Sequence, residues 1–329
     1  MRVGIVGCGL IGAKRAKSLG QNQLVAVADI DPLRADNLAA QYPGCESSTD
    51  WHNVVERDDI DLVFVATTND MLAPVSLAAV KSGKHVLVEK PAGRNSAELM
   101  PVVEAARQSG SVVKVGFNLR FHPALLKARE IFDTGELGPL MYIRARYGHG
   151  GRLGMEQEWR ADPAIAGGGE MLDQGVHLID LARWFAGDFV HVQGFVGTFF
   201  WDMPVEDNGF ALLRTATGQV AWLAASCTEW KNLFSFEIYG KVGKLQIDGL
   251  GGSYGVERLT WYRMLPQMGP PEIEQWEYPG EDRSWHGEMA YLLDCIAHRR
   301  PVAGSLEDAL AALKIVERLY ADQHASNPV

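Results

Sequence analysis

Short apolar runs alternate with amphipathic stretches through the first 118 or so residues. Val3–Val6, Leu24–Ala28, Leu62–Ala66, His85–Val88 and Val112–Gly116 are brief and rich in β-branched side chains. They are apolar at successive positions, as strands buried on both faces must be. Amphipathic stretches near 11–20, 33–41, 71–82 and 96–109 lie between them, and Gly20, Gly83 and Gly110 stand where a left-handed residue closes a helix. Asp31-Pro32 reads as an N-cap followed by proline at the first helical position. Alternation of this kind predicts βαβ units and a doubly wound parallel sheet.

The pattern changes after about residue 120. A helix over Pro123–Asp133 ends at Thr134-Gly135, a strand-like Leu140–Tyr147 follows, and a glycine-rich segment, Gly148–Gly169, leads into a helix at about 170–186. From Val190 to Tyr262 successive strands are separated by turn signals at Thr217-Gly218, Gly240–Gly243 and Asp248-Gly249. Strands in series without intervening helices indicate an antiparallel or mixed sheet, hence a separate α+β domain. Pro266–Asp282 is expected to be a proline- and acid-rich loop, and helices near 284–298 and 305–323 finish the chain. The expected domains are 1–118 and 119–329.

Composition narrows the function by exclusion. A formal net charge of −10 argues against non-specific nucleic-acid binding, which needs clustered Lys and Arg. Cys8, Cys45, Cys227 and Cys295 are scattered with no C-x-x-C spacing, which supports neither a zinc site nor a disulfide framework and fits a reducing compartment. No metal is expected. No apolar run approaches the roughly 18 residues of a membrane span, and the sequence enters a strand at Arg2–Gly7 with no apolar segment before it. The expectation is a soluble cytoplasmic protein that acts on a small molecule.

Candidate chemistry begins at Gly7-Cys8-Gly9-Leu10-Ile11-Gly12, a G-x-G-x-x-G between a strand and a helix. Its glycines suit a tight turn and close approach of backbone to a pyrophosphate, which the N–H groups of Leu10, Ile11 and Gly12 at the helix start would meet. An acid about 20 positions on completes the fingerprint. Asp29, followed by Ile30, supplies it at the end of the second strand and favours NAD over NADP by repelling a 2′-phosphate. Arg34 could in principle hold such a phosphate, but it reads first as a solvated helix residue. Thr67, Thr68 and Asn69 end the 62–66 strand on the same carboxyl edge, where they either line the nicotinamide side of the crevice or cap the next helix. Glu89-Lys90-Pro91 ends the 85–88 strand on that edge too.

In the second half, Gly167–Asp180 carries Asp173, His177 and Asp180 at helical spacing, so all three share one face, with Leu172, Val176, Ile179 and Leu181 packing the other. An imidazole is suited to take a proton from an alcohol near neutral pH, and a nearby carboxylate can orient it and raise its basicity. Trp159, Trp230 and Trp285 suit stacking on sugar faces, and they suit packing within the domain equally well.

The order G-x-G-x-x-G, E-K-P, G-G-G-x-x-x-D-x-G-x-H-x-x-D resembles the Gfo/Idh/MocA family of NAD(P)-dependent sugar and polyol oxidoreductases over nearly the whole chain. The resemblance implies an N-terminal Rossmann domain and a C-terminal α+β domain with a large, mostly antiparallel open sheet that mediates a homodimer or homotetramer. It implies catalytic roles for Lys90, Asp173 and His177, with the histidine as general acid/base, and a cis peptide before Pro91. Glu89 and Lys90 would then border the cofactor. Gly116–Pro123 looks like the family's entry into the substrate domain, so Asn118, Arg120 and His122 are expected to face substrate, as are Trp159 and Arg160. Thr68 and Leu72 depart from the T-P-N-x-x-H stretch of relatives, which puts a histidine beside nicotinamide in doubt. The implied reaction is hydride transfer between a secondary alcohol of a sugar, polyol or nucleotide sugar and NAD, with Arg120, Arg152 and Arg160 as candidates to meet a diphosphate. The alternatives are a lyase or glycosidase that uses tightly bound NAD transiently, and a non-enzymatic cofactor-dependent binding protein.

Overall fold

The computed structural model describes residues 1–326. Strands β1 (Arg2–Val6), β2 (Gln23–Ala28), β3 (Glu46–Ser48), β4 (Leu62–Val65), β5 (His85–Val88) and β6 (Val113–Val115) form one sheet in the order β3-β2-β1-β4-β5-β6. Every pair in it is parallel. Helices α1 (Leu10–Lys17), α2 (Pro32–Ala39), α3 (His52–Val55), α4 (Asn69–Lys81) and α5 (Ser96–Ser109) connect the strands. The order reverses between β1 and β4, which opens a crevice at their carboxyl ends. Asp31 caps α2 by accepting from the Leu33 N–H, with Pro32 at the first helical position. Two elements escaped the sequence reading: Glu46-Ser47-Ser48 is wholly polar and pairs only as an edge strand, and α3 is a single turn.

The next stretch carries α6 (Pro123–Thr134), β7 (Leu140–Gly148), α7 (Pro163–Ala166) and α8 (Val176–Ala186). It continues through β8 (Phe189–Gly197), β9 (Asn208–Thr215), β10 (Val220–Ser226), β11 (Leu233–Gly240), β12 (Gly243–Asp248), β13 (Glu257–Arg263) and β14 (Glu272–Tyr278). β7–β14 form an eight-stranded sheet in the order β14-β13-β12-β11-β7-β10-β9-β8, antiparallel except for the parallel β7–β10 pair. Ile143, Ala145 and Tyr147 of β7 are buried on the helix-covered face, while Tyr142, Arg144 and Arg146 alternate outward. β14 corrects the expected loop at 266–282. Its Glu272, Glu274 and Glu277 carry no apolar alternation because the strand lies at the sheet edge, exposed to solvent.

Two further helices follow, α9 (Ser284–Ala297) and α10 (Leu306–Ser326). The described residues form two compact units: Met1–Phe117 with Ala164–Gly167 and Trp285–Leu313, and Asn118–Pro163 with Gly168–Ser284 and the described residues from Lys314 on. The reason α9 groups with the first unit is its apolar face. Met289 and Leu292 are buried in the cluster of Val3, Ile5, Leu24, Phe64 and Leu87, and each such side chain contributes about 1.5–3 kcal/mol on burial. No helix of the described residues is long and apolar enough to cross a membrane.

Candidate functional site

In the first unit the fingerprint turn is shaped by steric necessity. Gly7 has φ +95°, and a Cβ on Gly12 would stand 1.9 Å from the Gly7 carbonyl oxygen, so only glycine lets α1 start so close to β1. A Cβ on Gly9 would meet nothing within 4 Å, which leaves its backbone open to an approaching ligand. No side chain caps α1 and its first turn holds no acid. The free N–H groups and the positive end of the helix therefore suit a pyrophosphate. Leu10 is exposed and Ile11 half-buried on that turn.

Asp29 is fixed across the ends of β1 and β2. Its Oδ2 accepts from the Cys8 N–H at 2.7 Å and its Oδ1 from the Asp31 N–H at 2.9 Å. A carboxylate has about four lone-pair sites, so it retains capacity for ribose hydroxyls. Arg34, the cation suited to a 2′-phosphate, pairs instead with Asp31 at 3.3 Å. Ile30 projects into solvent. Burial, then the charge of Asp29, push the Cys8 thiol up to about 12, so it is inert.

Along the same edge, Thr68 Oγ1 donates to Asp70 at 2.6 Å at the start of α4, and Asn69 Nδ2 donates to the Ala166 carbonyl at 2.8 Å. Thr67 is half-buried, its hydroxyl on the Thr68 carbonyl. Leu72 lies in the core. The Lys90–Pro91 peptide is cis and Lys90 is half-buried at the end of β5.

Glu89, expected to border the cofactor, has a buried carboxylate that accepts from Arg15 at 2.7 Å. Arg15 also holds Glu288 at 2.5 Å, and Glu288 holds Lys114 at 2.7 Å. Arg15 lies 4.3 Å from the Trp285 ring centroid, so this tryptophan packs inside the first unit. Burial raises Glu89 above the usual carboxylate range. Glu288 is held below that range, because Lys114 and Arg15 together outweigh its burial. No pattern local in sequence marks this cluster, since its members lie on α1, just after β5, on β6 and on α9.

In the second unit, Met171–Gly175 is a π turn that runs into α8. The equal spacing assumed for a helix over 170–186 is therefore broken between Asp173 and His177. Such wide turns are frequent at functional sites. The Met171 thioether packs over Gly175, where a Cβ would sit 2.3 Å from Sδ. Glu206 anchors its start by accepting from the Gly169 and Met171 N–H groups at 2.9 and 3.1 Å, and from Tyr320 at 2.6 Å. His177 is buried and Asp173 half-buried, with Arg160 Nε 3.3 Å from Asp173 Oδ2.

Two tyrosines that the sequence did not single out join this cluster. The Tyr147 ring lies edge-on to His177 at 6.1 Å and 5.3 Å from the Tyr254 ring, with which it shares a hydrogen bond. Burial, Tyr254 and the carboxylates of Asp173 and Glu170 hold the Tyr147 phenol well above its usual pKa, so it stays protonated. His149 Nδ1 accepts from the Gly151 N–H at 3.0 Å, and its Nε2 lies 3.6 Å from Glu170 Oε1. The available signal was parity, because Tyr147 follows Ile143 and Ala145 on the inward face of β7.

Three residues expected to face substrate are held within the second unit. Arg120 makes a two-pronged pair with Asp180 at 2.7 and 2.6 Å, which also removes Asp180 from the polar stripe. His122 bonds to Glu257 at 2.8 Å, and Asn118 donates to Ser284 at 2.9 Å. All three are buried. Trp159 is half-buried beneath Arg160, whose Cζ lies 4.4 Å from its ring centroid, whereas Trp230 is exposed. Among the described residues no group of three His, Cys, Asp or Glu could hold a metal ion, and all four cysteines are free.

Comparison with known proteins decides the family. Residues 1–117 match the oxidoreductase family with an NAD-binding Rossmann fold, and residues 125–246 match the GFO/IDH/MocA C-terminal domain. The chain belongs to the Gfo/Idh/MocA oxidoreductase family. Its cofactor is NAD, which the Gly7–Gly12 turn and Asp29 fit. It is 28% identical over 239 residues to a levoglucosan dehydrogenase of Pseudarthrobacter phenanthrenivorans, a match that spans 66% of this chain but 59% of that protein. It is 27% identical over 298 residues to dTDP-3,4-didehydro-2,6-dideoxy-alpha-D-glucose 3-reductase of Saccharopolyspora spinosa, covering 89% of this chain and 87% of the relative. A solved levoglucosan dehydrogenase in complex with NADH superposes with a TM-score of 0.88 over 98% of both chains, at 23% identity, which establishes the shared fold.

Proposed function

We propose that this protein transfers a hydride between a secondary alcohol of a sugar or polyol and NAD. NAD, when bound, accepts the hydride from the carbinol carbon. His177 takes the hydroxyl proton, Asp173 orients the imidazole, and Lys90 stabilises the developing charge on the oxygen. His177 holds the hydroxyl proton as the alcohol becomes a ketone and returns it when the ketone is reduced. Trp159 and Arg160 border the substrate, and Thr67, with the backbone of Thr68 and Asn69, borders the cofactor.

The observation that carries this reading is the π turn that sets Asp173 and His177 beside the buried phenol of Tyr147 and the half-buried phenol of Tyr254. Around an acid–base histidine, a cluster of uncharged donors and carboxylates suits the hydroxyls of a sugar ring. Both named relatives carry out net redox chemistry by name, which favours this reading over transient oxidation in a lyase or glycosidase. General acid–base assistance contributes roughly 10²–10⁴-fold. Lys90→Ala is expected to cut turnover by at least about 100-fold while NADH fluorescence titration stays within about threefold of the parent; unchanged turnover would refute the role of Lys90.

The same reading includes assembly through the outward face of the eight-stranded sheet, in a dimer or tetramer. Phe195, Phe210, Leu212 and Trp222 are exposed there on three adjacent strands. A contiguous apolar patch of this kind is what an interface between copies requires. A cytoplasmic location fits four free cysteines.

A further inference from the structure

The proposed chemistry leaves open whether the sugar ring carries a charge. The second unit bears on this through the fate of its cations. Arg120 is consumed by Asp180 in a buried two-pronged pair. Arg152 is held by Glu158 at 2.9 and 2.5 Å, and Arg160 is drawn to Asp173 while lying over Trp159. The three arginines that a diphosphate would need are each committed to a carboxylate.

What surrounds His177 has the opposite character. Asp173 and Glu170 both act electrostatically on Tyr147 and Tyr254, so two carboxylates and two phenols share one neighbourhood. His149 reaches Glu170 with the nitrogen left after its other one accepts from the Gly151 N–H. Carboxylates accept from ring hydroxyls, phenols and imidazoles both donate and accept, and this set suits a ring dense in neutral hydroxyls. A phosphate, a carboxylate or a nucleoside diphosphate would instead be desolvated against like charge. Lys90, the cation the mechanism supplies, is assigned to the reacting oxygen.

We propose that the substrate is an uncharged cyclic polyol or sugar, and that Glu170, which has His149 beside it where Asp173 has Arg160, excludes phosphorylated, uronate and nucleotide-linked rings. This rests on the oxidoreductase reading above and narrows it. Glu170 acts here as a specificity-determining residue.

The test uses the full-length protein with NAD and matched pairs: inositol with inositol monophosphate, and glucose with glucose 6-phosphate, glucuronate and dTDP-glucose. The neutral member of the active pair is expected to have kcat/KM at least ~100-fold higher, the factor that one like-charge pair about 6 Å apart imposes at an effective dielectric of about 20. Glu170→Gln is expected to shrink that ratio at least ~10-fold, a change that loss of folded protein alone does not produce. A charged ring turned over as well as or better than its neutral partner overturns the substrate class, while continued dependence on Lys90 leaves the redox reading intact. If no ring is turned over, the redox reading fails, and equilibrium binding of the same pairs to the NADH complex still decides the class. Tighter or equal binding of the phosphorylated ring overturns it.

Discussion

Removing the Arg15 guanidinium is the sharpest physical test of the first unit. In Arg15→Met an apolar chain of similar length replaces a cation that bonds Glu89 and Glu288 at 2.7 and 2.5 Å. Arg15 and Glu288 side chains are 1% and 0% exposed, so no water replaces the lost partner. Breaking a buried pair by deleting one member costs about 3–5 kcal/mol because a charge is stranded. Here two carboxylates are left with Lys114 as the cation bonded to Glu288, which places the loss toward the upper end. A cooperative unit of about 150–250 residues loses roughly 2–4 °C per kcal/mol, so Tm is expected to fall by about 10–20 °C.

The pH dependence carries the sign. Glu89 has its folded pKa raised, so its contribution is full at low pH and is lost as pH rises through that value. Glu288 has its folded pKa lowered, so its contribution is present above the ordinary carboxylate range and is lost as pH falls. Without Arg15, both groups bind protons more tightly in the folded state. The variant's deficit relative to the parent should therefore narrow as pH falls from 8 toward 5. Thermal unfolding followed by near-ultraviolet circular dichroism across that range reads both effects. A loss under about 1 kcal/mol, or a deficit that widens toward pH 5, refutes the account.

Other expectations follow from single contacts. Asp29→Ala removes the bonds to the Cys8 and Asp31 N–H groups, so NADH affinity should fall roughly 10–100-fold and the preference over NADPH should shrink, measured by fluorescence titration. Cys8, raised to about 12, should resist alkylation at pH 8 in the folded protein and react only after denaturation, as mass mapping would show. Trp222→Glu on the outward sheet face should lower the mass seen by sedimentation if that face joins copies, with the circular dichroism spectrum unchanged; an unaltered mass removes the face from assembly.

The first sheet was legible because its strands, buried on both faces, announce themselves as unbroken apolar runs, and because the glycines of the fingerprint have no substitute at such close approach. β14 was hidden because an exposed edge strand needs no apolar alternation. The Asp173–His177 segment was found from residue type, but its wide turn was not, since that depends on Met171 packing against Gly175 and on Glu206 arriving from far along the chain. Arg120 and His122 were read as substrate-facing because their partners, Asp180 and Glu257, are distant in sequence. The Tyr147–Tyr254 pair was missed for the same reason.

The position of Glu288 has a consequence for how this protein is made. Arg15, Glu89 and Lys114 all leave the ribosome within the first 114 residues, yet the carboxylate that completes their charge balance arrives 174 residues after Lys114. At about 5–20 residues per second, the nascent cofactor-binding segment waits on the order of ten seconds or more before Glu288, which bonds both Arg15 and Lys114, is made. Until then two buried cations share the single carboxylate of Glu89, which disfavours closing that side of the sheet. Synthesis of the C-terminal third is thus a checkpoint on the N-terminal third: a chain cut short before α9 should be a chaperone client and not a free-standing nucleotide-binding module.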